Sequence, residues 1–215
     1  TVPICNEFGT HTYIHDWPGF GIQKNRALDY ASKDLVLSLD ADERVTPELR
    51  FEIESVMKAG KEQGYEVPRL SSFCGRYMYH SGWNPDYVTR LFQRKSGRFS
   101  NDLVHERVII NGVVGRMKHR LLHESFRDLE QLLAKMNHYS SAGAVMMGKK
   151  SRDATLTQAI THGLWAFIRS YFIHAGFLDG REGFMLAVST AEGTYYRYAK
   201  RLLMQQSNND DVLNV

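Results

Sequence analysis

The sequence has little cysteine, no long apolar run and no internal repeat. Its two cysteines, Cys5 and Cys74, lie far apart, which argues against a disulfide framework or a zinc site and favours a reducing compartment. No apolar run approaches the ~20 residues of a membrane-spanning helix. A Gly-x-Ser-x-Gly elbow is also missing, so a serine hydrolase is disfavoured. The 215 residues are enough to bury a sizeable core in one large domain.

Charge is low overall but unevenly distributed. The formal net charge is +3. Residues 1–114 carry 14 Lys and Arg against 15 Asp and Glu, whereas residues 115–206 carry 13 against 7. The cations are spread along apolar segments and are not gathered into a basic stripe, so we expect no nucleic-acid partner.

The most informative stretch runs from Asp34 to Glu43, where five apolar or small residues lead directly into acids. Such a run is typical of a central strand of a parallel sheet, covered on both faces. Asp40 and Asp42 at its carboxyl end are suited to holding a hard divalent cation beside phosphate oxygens. Alternatively, the acids form a polar loop before a helix that starts at Thr46-Pro47, which explains Glu43 but not Asp40 directly after Leu39.

The segment before this strand predicts a β-loop-α-β unit. Residues 12–15 are the expected first strand and residues 22–32 the helix, which together favour a right-handed parallel crossover. Lys24 near the helix start is a candidate phosphate contact, or part of a solvated basic face. Because a central parallel strand needs a neighbour on both sides, we also expect a further strand before this sequence.

Further along, strands are predicted at residues 65–73 and 88–94, with a hairpin across Asn111-Gly112. His119 and His123 have an i, i+4 spacing, but in strands or loops that spacing does not converge on a metal. From Arg127 the pattern is helical. Residues 155–206 contain nine aromatics interleaved with five cations, which predicts either helices on a membrane surface or helices packed on the sheet.

Four strings of the sequence together resemble family 2 glycosyltransferases of the GT-A fold. They are DWPGFGIQKNRALDYASKDLVLSLDADERVTPEL, GWNPDYVTRLFQR, NDLVHERV and LLHESFRDL. Within that family the sequence is similar to the bacterial enzymes that add glucose to the inner-core heptose of lipopolysaccharide, over about residues 8–204. The resemblance implies an α/β, Rossmann-like, mostly parallel sheet flanked by helices, truncated at its N-terminus and followed by an amphipathic helical region.

The resemblance also implies roles for particular residues on the donor side. Asp40 and Asp42 match the DxD motif, whose acids contact the sugar nucleotide and hold a Mg²⁺ or Mn²⁺ ion between its phosphates. Lys24 and Asn25 fall in the segment that lines the donor site. The implied donor is a UDP-sugar.

On the acceptor side, Glu106 matches the acid that takes the proton from the acceptor hydroxyl in inverting members of the family. His105 is its neighbour in the chain. Trp83 and Arg90 lie in the loop and strand that help to form the acceptor side. The implied reaction is a single in-line displacement with inversion, which needs a general base as well as the metal.

These expectations divide the chain into a catalytic domain at 1–126, a helical and membrane-associating region at 127–206 and a disordered tail at 207–215. The expected enzyme is peripheral on the cytoplasmic face of the bacterial inner membrane and moves glucose to a lipid-linked saccharide. Two alternatives remain open. One is a related transferase for another polysaccharide or a polyprenyl-linked acceptor, and the other is a catalytically inactive, membrane-associated fragment.

Overall fold

A computed structural model describes the backbone of residues 2–100 and 106–213, and side chains up to residue 206. The helices are α1 (Val2–Glu7), α2 (Phe20–Tyr30), α3 (Pro47–Ala59), α4 (Leu129–Lys149), α5 (Leu156–Ile168) and α6 (Gly180–Leu213), with a π-helical turn at Arg169–Ile173 and a 3₁₀ turn at Gly176–Asp179. The strands are β1 (Leu35–Leu37), β2 (Glu43–Val45), β3 (Gly64–Phe73), β4 (Arg76–Tyr77), β5 (Asp86–Gln93), β6 (Gly97–Phe99), β7 (Val108–Ile110), β8 (Val114–Arg116) and β9 (Leu121–Phe126). The α/β class expected from the sequence is confirmed.

Local sequence signals explain where the helices begin. The Thr46 hydroxyl accepts a hydrogen bond from the Leu49 amide at 3.2 Å, and Pro47 occupies the first position of α3. Asp128 caps α4 in the same way, by accepting from the Gln131 amide at 2.7 Å. Thr155 and Gln158 form a reciprocal capping box at the start of α5.

The chain divides into two compact units. Unit 1 comprises Thr1–Ser38, Val56–Glu66 and Thr89–Arg116. Within it, β1 pairs antiparallel with β5, the Gln93 amide of β5 donates to the carbonyl of Gln63, and the start of β3 pairs parallel with β8. The packed side chains of this unit are Leu28, Phe92 and Phe99, with Val36, Val108 and Ile110 against them.

Three of the predicted strand features in this unit are wrong. The run after Asp34 is not a central strand covered on both faces, because β1 has β5 as its partner among the described ladders and its side chains are half-buried or exposed. Residues 12–15 form no strand, so the predicted parallel crossover is absent as well. The chain bends at Asn111-Gly112, but the strands on either side do not pair with each other, because β7 pairs with β6 and β8 with β3.

Unit 2 comprises Leu39–Ser55, Val67–Val88 and Met117–Val215. Here β9 is the organising strand, because it runs parallel to β3 on one side and antiparallel to β2 on the other. The short β4 extends β3 by an antiparallel pair. A core cluster forms where this sheet meets the helices of the same unit, and it consists of Phe73, Met78, Leu132 and Leu186. Each such buried side chain stabilises the fold by roughly 1.5–3 kcal/mol.

The helices of unit 2 pack around α6, which contacts both α4 and α5. The helical region predicted from Arg127 onward is therefore found, with α4 beginning at Leu129. In the described part of the chain, no helix combines the length and apolar character needed to cross a bilayer. The domain boundaries expected at 126 and 206 stay predictions, and the side chains of the expected tail at 207–215 lie outside the described residues.

A buried carboxylate ties the helical part of unit 2 to the loop after β4. Asp179 is 1% exposed and accepts hydrogen bonds from the amides of Tyr79 and His80 at 3.1 and 2.9 Å. It also accepts from the Ser81 hydroxyl at 3.3 Å. A buried carboxylate is tolerated only when its oxygens are bonded in this way.

We expect Asp179→Ala to lower the free energy of unfolding by about 3 kcal/mol or more, because two backbone N–H groups lose their acceptor in a buried place. Urea unfolding followed by circular dichroism measures the loss. The matched control is Asp153→Ala, whose carboxylate is 80% exposed and pairs with Arg201, and we expect a change within about 0.5 kcal/mol. Equal losses in the two variants would contradict the role of Asp179.

Another bonded carboxylate, that of Glu124, lies on β9. It accepts from the Ser72 hydroxyl at 2.8 Å and from the Tyr77 hydroxyl at 3.0 Å. The bond from Ser72 lowers the pKa of Glu124 below its ordinary value, and Tyr77 and the nearby charge of Arg44 add to that effect against the opposing effect of burial.

A pKa lowered in the folded state makes a stability contribution that is present above the unfolded value and is lost as pH falls through the folded value. We therefore expect Glu124→Gln to reduce the free energy of unfolding most at pH 7 and progressively less below about pH 4.5, the ordinary value. Urea unfolding of both proteins between pH 7 and pH 3 measures the difference. A difference that grows toward low pH would contradict this assignment.

Candidate functional site

The acids after β1 form a tight turn that is held by one of them. The amide of Glu43 donates to the Asp40 carbonyl at 3.0 Å, and the Glu43 carboxylate accepts from the Asp40 amide, also at 3.0 Å. The Glu43 side chain is fully buried and its other oxygen lies 3.5 Å from Arg69. Arg69 in turn binds Asp86 through two nitrogens, at 2.9 and 2.8 Å. Glu43 is thus a structural acid of the run, but it begins strand β2 and its side chain is buried, so it does not belong to the polar loop that the alternative interpretation expected.

Asp42 lies beside a histidine from β9. Its Oδ2 is 3.5 Å from Nε2 of His123, and the other ring nitrogen of His123 is 2.8 Å from the Ser71 hydroxyl. The Asp42 carbonyl accepts from the Glu124 amide at 2.9 Å, so backbone bonding holds the turn against β9. The Asp42 side chain keeps 39% of its surface exposed. A carboxylate and an imidazole are therefore presented together at a solvent-accessible place.

These donors fit a divalent cation as part of its ligand set. Mg²⁺ in nucleotide sites takes one or two protein carboxylates and completes its shell with phosphate oxygens and water. Carboxylate oxygens suit Mg²⁺ and Mn²⁺, and an imidazole whose second nitrogen is fixed by a neighbour is a common partner. Among the described residues, no group of three or more His, Cys, Asp or Glu side chains is arranged to hold a metal. The turn thus offers a partial set that a diphosphate would complete.

In unit 1 the structure brings Lys24 and Glu106 together. The Lys24 ammonium is 2.9 Å from the Glu106 carboxylate, and both side chains are about four-fifths buried. The ammonium also lies over the Phe99 ring, 5.6 Å from its centroid. The two residues expected on the donor and acceptor sides are therefore an ion pair, and Lys24 fixes the position of the Glu106 carboxylate.

The Asn25 side chain is hydrogen-bonded to the backbone of the same unit. Its side-chain NH₂ donates to the Phe99 carbonyl at 2.9 Å and its oxygen accepts from the Phe99 amide at 3.0 Å. This pair of bonds attaches α2 to β6 in the way that a neighbouring strand would. The donor-site role of Asn25 stays a prediction, and this structural role is an addition to it.

The remaining predicted residues have varied positions. Trp83 packs against the core cluster of unit 2, with ring centroids 6.2 Å from Phe73 and 6.0 Å from Phe126. Arg90 is 6% exposed within β5, and its carbonyl accepts from the Ser38 amide at 2.8 Å. His105 lies outside the described residues. The acceptor-side roles of all three stay predictions.

Sequence reasoning missed His123, Ser71 and Arg69. His123 was paired with His119 by spacing, yet the two do not converge, because His119 binds Glu52 at 2.9 Å while His123 lies beside Asp42. No spacing rule links His123 to Asp42, because their proximity depends on the pairing of β2 with β9.

Comparison with known proteins identifies the family. No protein-family model matches the chain. It is 28% identical to an uncharacterised glycosyltransferase of Rickettsia prowazekii over 97% of this chain and 76% of that protein, and 29% identical to another of Rickettsia felis over 93% and 75%. It is 31% identical to the lipopolysaccharide core biosynthesis glycosyltransferase LpsC of Rhizobium meliloti, over 92% of this chain and 76% of LpsC. The chain therefore belongs to the glycosyltransferase family that includes LpsC.

Proposed function

We propose that this glycosyltransferase moves glucose from UDP-glucose to a lipid-linked saccharide, such as the inner core of lipopolysaccharide, by inverting displacement in a GT-A fold. The observation that carries the proposal is the pairing of Asp42 with His123 on a turn that the buried Glu43 holds in place. An anchored carboxylate and imidazole at an exposed turn are suited to a metal–diphosphate group. We place the enzyme at the cytoplasmic face of the inner membrane, where nucleotide sugars meet lipid-borne acceptors.

On the donor side, Asp42 and His123 would hold a Mg²⁺ or Mn²⁺ ion, and Asp40, the other acid of the DxD match, would contact the sugar nucleotide. When bound, the ion supplies positive charge that stabilises the departing diphosphate. The contribution of the protein is rigidity: Glu43 bonds the Asp40 amide, and Ser71 fixes the His123 ring. Ligands fixed in this way lose little conformational entropy when the donor binds.

On the acceptor side, Glu106 is assigned as the general base. Its carboxylate takes the proton of the acceptor hydroxyl as that oxygen bonds to the anomeric carbon of the sugar, while the bond from that carbon to the diphosphate breaks. One attack from the face opposite the leaving group inverts the configuration. Lys24 is assigned as a positioning residue, since its ammonium already holds the Glu106 carboxylate at 2.9 Å.

The donor assignment is tested by calorimetry of UDP binding with and without Mn²⁺. We expect Mn²⁺ to tighten UDP binding by about tenfold or more in the wild type, which is within the several kcal/mol that such an ion supplies. Asp42→Ala should abolish that gain because it removes one of the ligands. Asp34→Ala is the matched control, since Asp34 is an exposed acid of the same segment, and it should keep the gain. A full Mn²⁺ effect in Asp42→Ala would contradict the metal role, and no heat in any sample would favour an inactive fragment.

The base assignment is tested by glucose transfer to purified lipopolysaccharide core acceptor. We expect Glu106→Gln to lower turnover by roughly 10²-fold or more, because the amide cannot accept the proton, while UDP affinity stays unchanged. Glu66→Gln serves as the control, because Glu66 also pairs with a cation, Arg116 at 2.8 Å, and it should transfer at the wild-type rate. A Glu106→Gln enzyme with wild-type turnover would reassign the base.

A further inference from the structure

Helix α5 buries small residues and exposes large apolar ones, which is the opposite of an amphipathic helix on the surface of a soluble protein. The residues buried along it are small, Ala159 and Gly163. Its large aliphatic residues Leu156, Ile160 and Leu164 follow one another at i, i+4 and i+8 and are 54%, 54% and 59% exposed. An amphipathic helix in water normally does the opposite, with its large apolar stripe turned toward the core.

Close packing on α6 explains why the small residues face inward. A Cβ added at Gly163 would lie 3.3 Å from the Ala191 carbonyl oxygen and 3.3 Å from the Tyr195 Cβ, so a larger side chain would require α6 to move away by a few tenths of an ångström. Small residues at close helix contacts, with large apolar residues on the other side, are typical of helices whose outer side meets lipid. Because the small residues of α5 pack closely on α6, its large apolar residues face away from α6.

The exposed apolar surface continues beyond the stripe. Trp165 is 54% exposed near the end of α5, and Phe172 and Ile173 are each 58% exposed in the π-helical turn that follows. The Phe172 ring contacts Phe167 of α5, with centroids 6.3 Å apart, which joins the two parts. We name this surface the outer apolar face; it consists of Leu156, Ile160, Leu164, Trp165, Phe172 and Ile173.

The charges around this face are positive. Between residues 154 and 178 the sequence contains one charged residue, Arg169, which is exposed. Just after it, the Arg181 side chain is 88% exposed. The acids next along the chain are Asp179, which is buried and bonded to the loop at residues 79–81, and Glu182, which pairs with Arg181 at 2.6 Å. On the other side of the face, the exposed Asp153 before α5 pairs with Arg201. The acids near this face in the chain are therefore buried or paired with arginine, and exposed arginines at its border complement anionic headgroups.

We propose that the outer apolar face lies in the interface of an anionic phospholipid bilayer, with Arg169 and Arg181 at the level of the phosphates. A one-sided apolar face with Trp165 at its edge is suited to this position, because indole rings favour the headgroup region. A second copy of the chain would meet the same two arginines across the contact, which favours lipid over self-association. The contact with the bilayer does not depend on the proposed function. Only the identity of a lipid-borne acceptor in that bilayer rests on it.

Vesicle flotation tests the face directly and needs no catalytic activity. Wild-type protein should float with vesicles of phosphatidylcholine and phosphatidylglycerol, and Leu164→Glu should lower the partition coefficient by about tenfold or more. The matched control is Phe51→Glu, since Phe51 is 70% exposed on α3, outside the face, and this variant should float like the wild type. Equal loss in the two variants, or no flotation of the wild type, would overturn the proposal.

A second measurement does not depend on a disruptive substitution. Brominated phosphatidylglycerol in the vesicles should quench tryptophan emission of the wild type. Trp165→Phe keeps an aromatic ring on the face, so it should float normally but lose most of that quenching. Quenching that is undiminished in Trp165→Phe would assign lipid contact to another part of the chain and overturn the proposal.

The charge contribution is tested with Arg169→Gln, which should weaken partitioning to the anionic vesicles by about fivefold and leave binding to pure phosphatidylcholine unchanged.

Sedimentation without vesicles tests whether a second copy of the chain, instead of lipid, covers the face. If the wild-type protein is a dimer and Leu164→Glu dissociates it, the outer apolar face contacts a second copy of the chain, and the bilayer proposal is overturned. Normal flotation together with absent UDP binding would contradict the proposed function alone, so the two failures are distinguishable.

Discussion

The candidate donor site depends on one buried carboxylate, that of Glu43. Its side chain is fully buried, and such a charge is costly unless its oxygens are bonded. The Asp40 amide and the Arg69 guanidinium supply those partners, and the Glu43 amide closes the turn on the Asp40 carbonyl. The third acid of the run thus holds the other two in place and has no need to contact a ligand itself.

Strand β9 contributes the second side chain of the candidate site, His123, which lies beside this turn. In the register of the sheet, His123 lies opposite Glu43 of β2 on one side and opposite Ser71 of β3 on the other. This position explains why one ring nitrogen meets the Ser71 hydroxyl while the other faces Asp42. Because successive residues of a strand face opposite sides, the neighbouring Glu124 is directed to a different pair, Ser72 and Tyr77. One strand therefore supplies both a candidate ligand and a structural acid.

The sequence predicts local structure well and long-range pairing poorly. Thr46 and Pro47 determine where α3 begins, and they do so through atoms a few residues apart. The apolar run of β1 has no comparable local signature, because a strand buried on both faces and a half-buried one can have the same composition. Asn111-Gly112 marks where the chain bends between β7 and β8, but it cannot specify that β8 pairs with β3 instead of with β7. The contact of Asp42 with His123 depends on strand register and is absent from any local pattern.

We propose that Asp42 and His123 bind a divalent ion together with the diphosphate of the donor. Electron–nuclear double resonance of Mn²⁺ with UDP and the protein tests it most directly, because couplings to ³¹P and to imidazole ¹⁴N report each partner separately. We expect both couplings in the wild type, with the ¹⁴N coupling lost in His123→Ala. A spectrum of hydrated Mn²⁺ that the protein and UDP leave unchanged would contradict it.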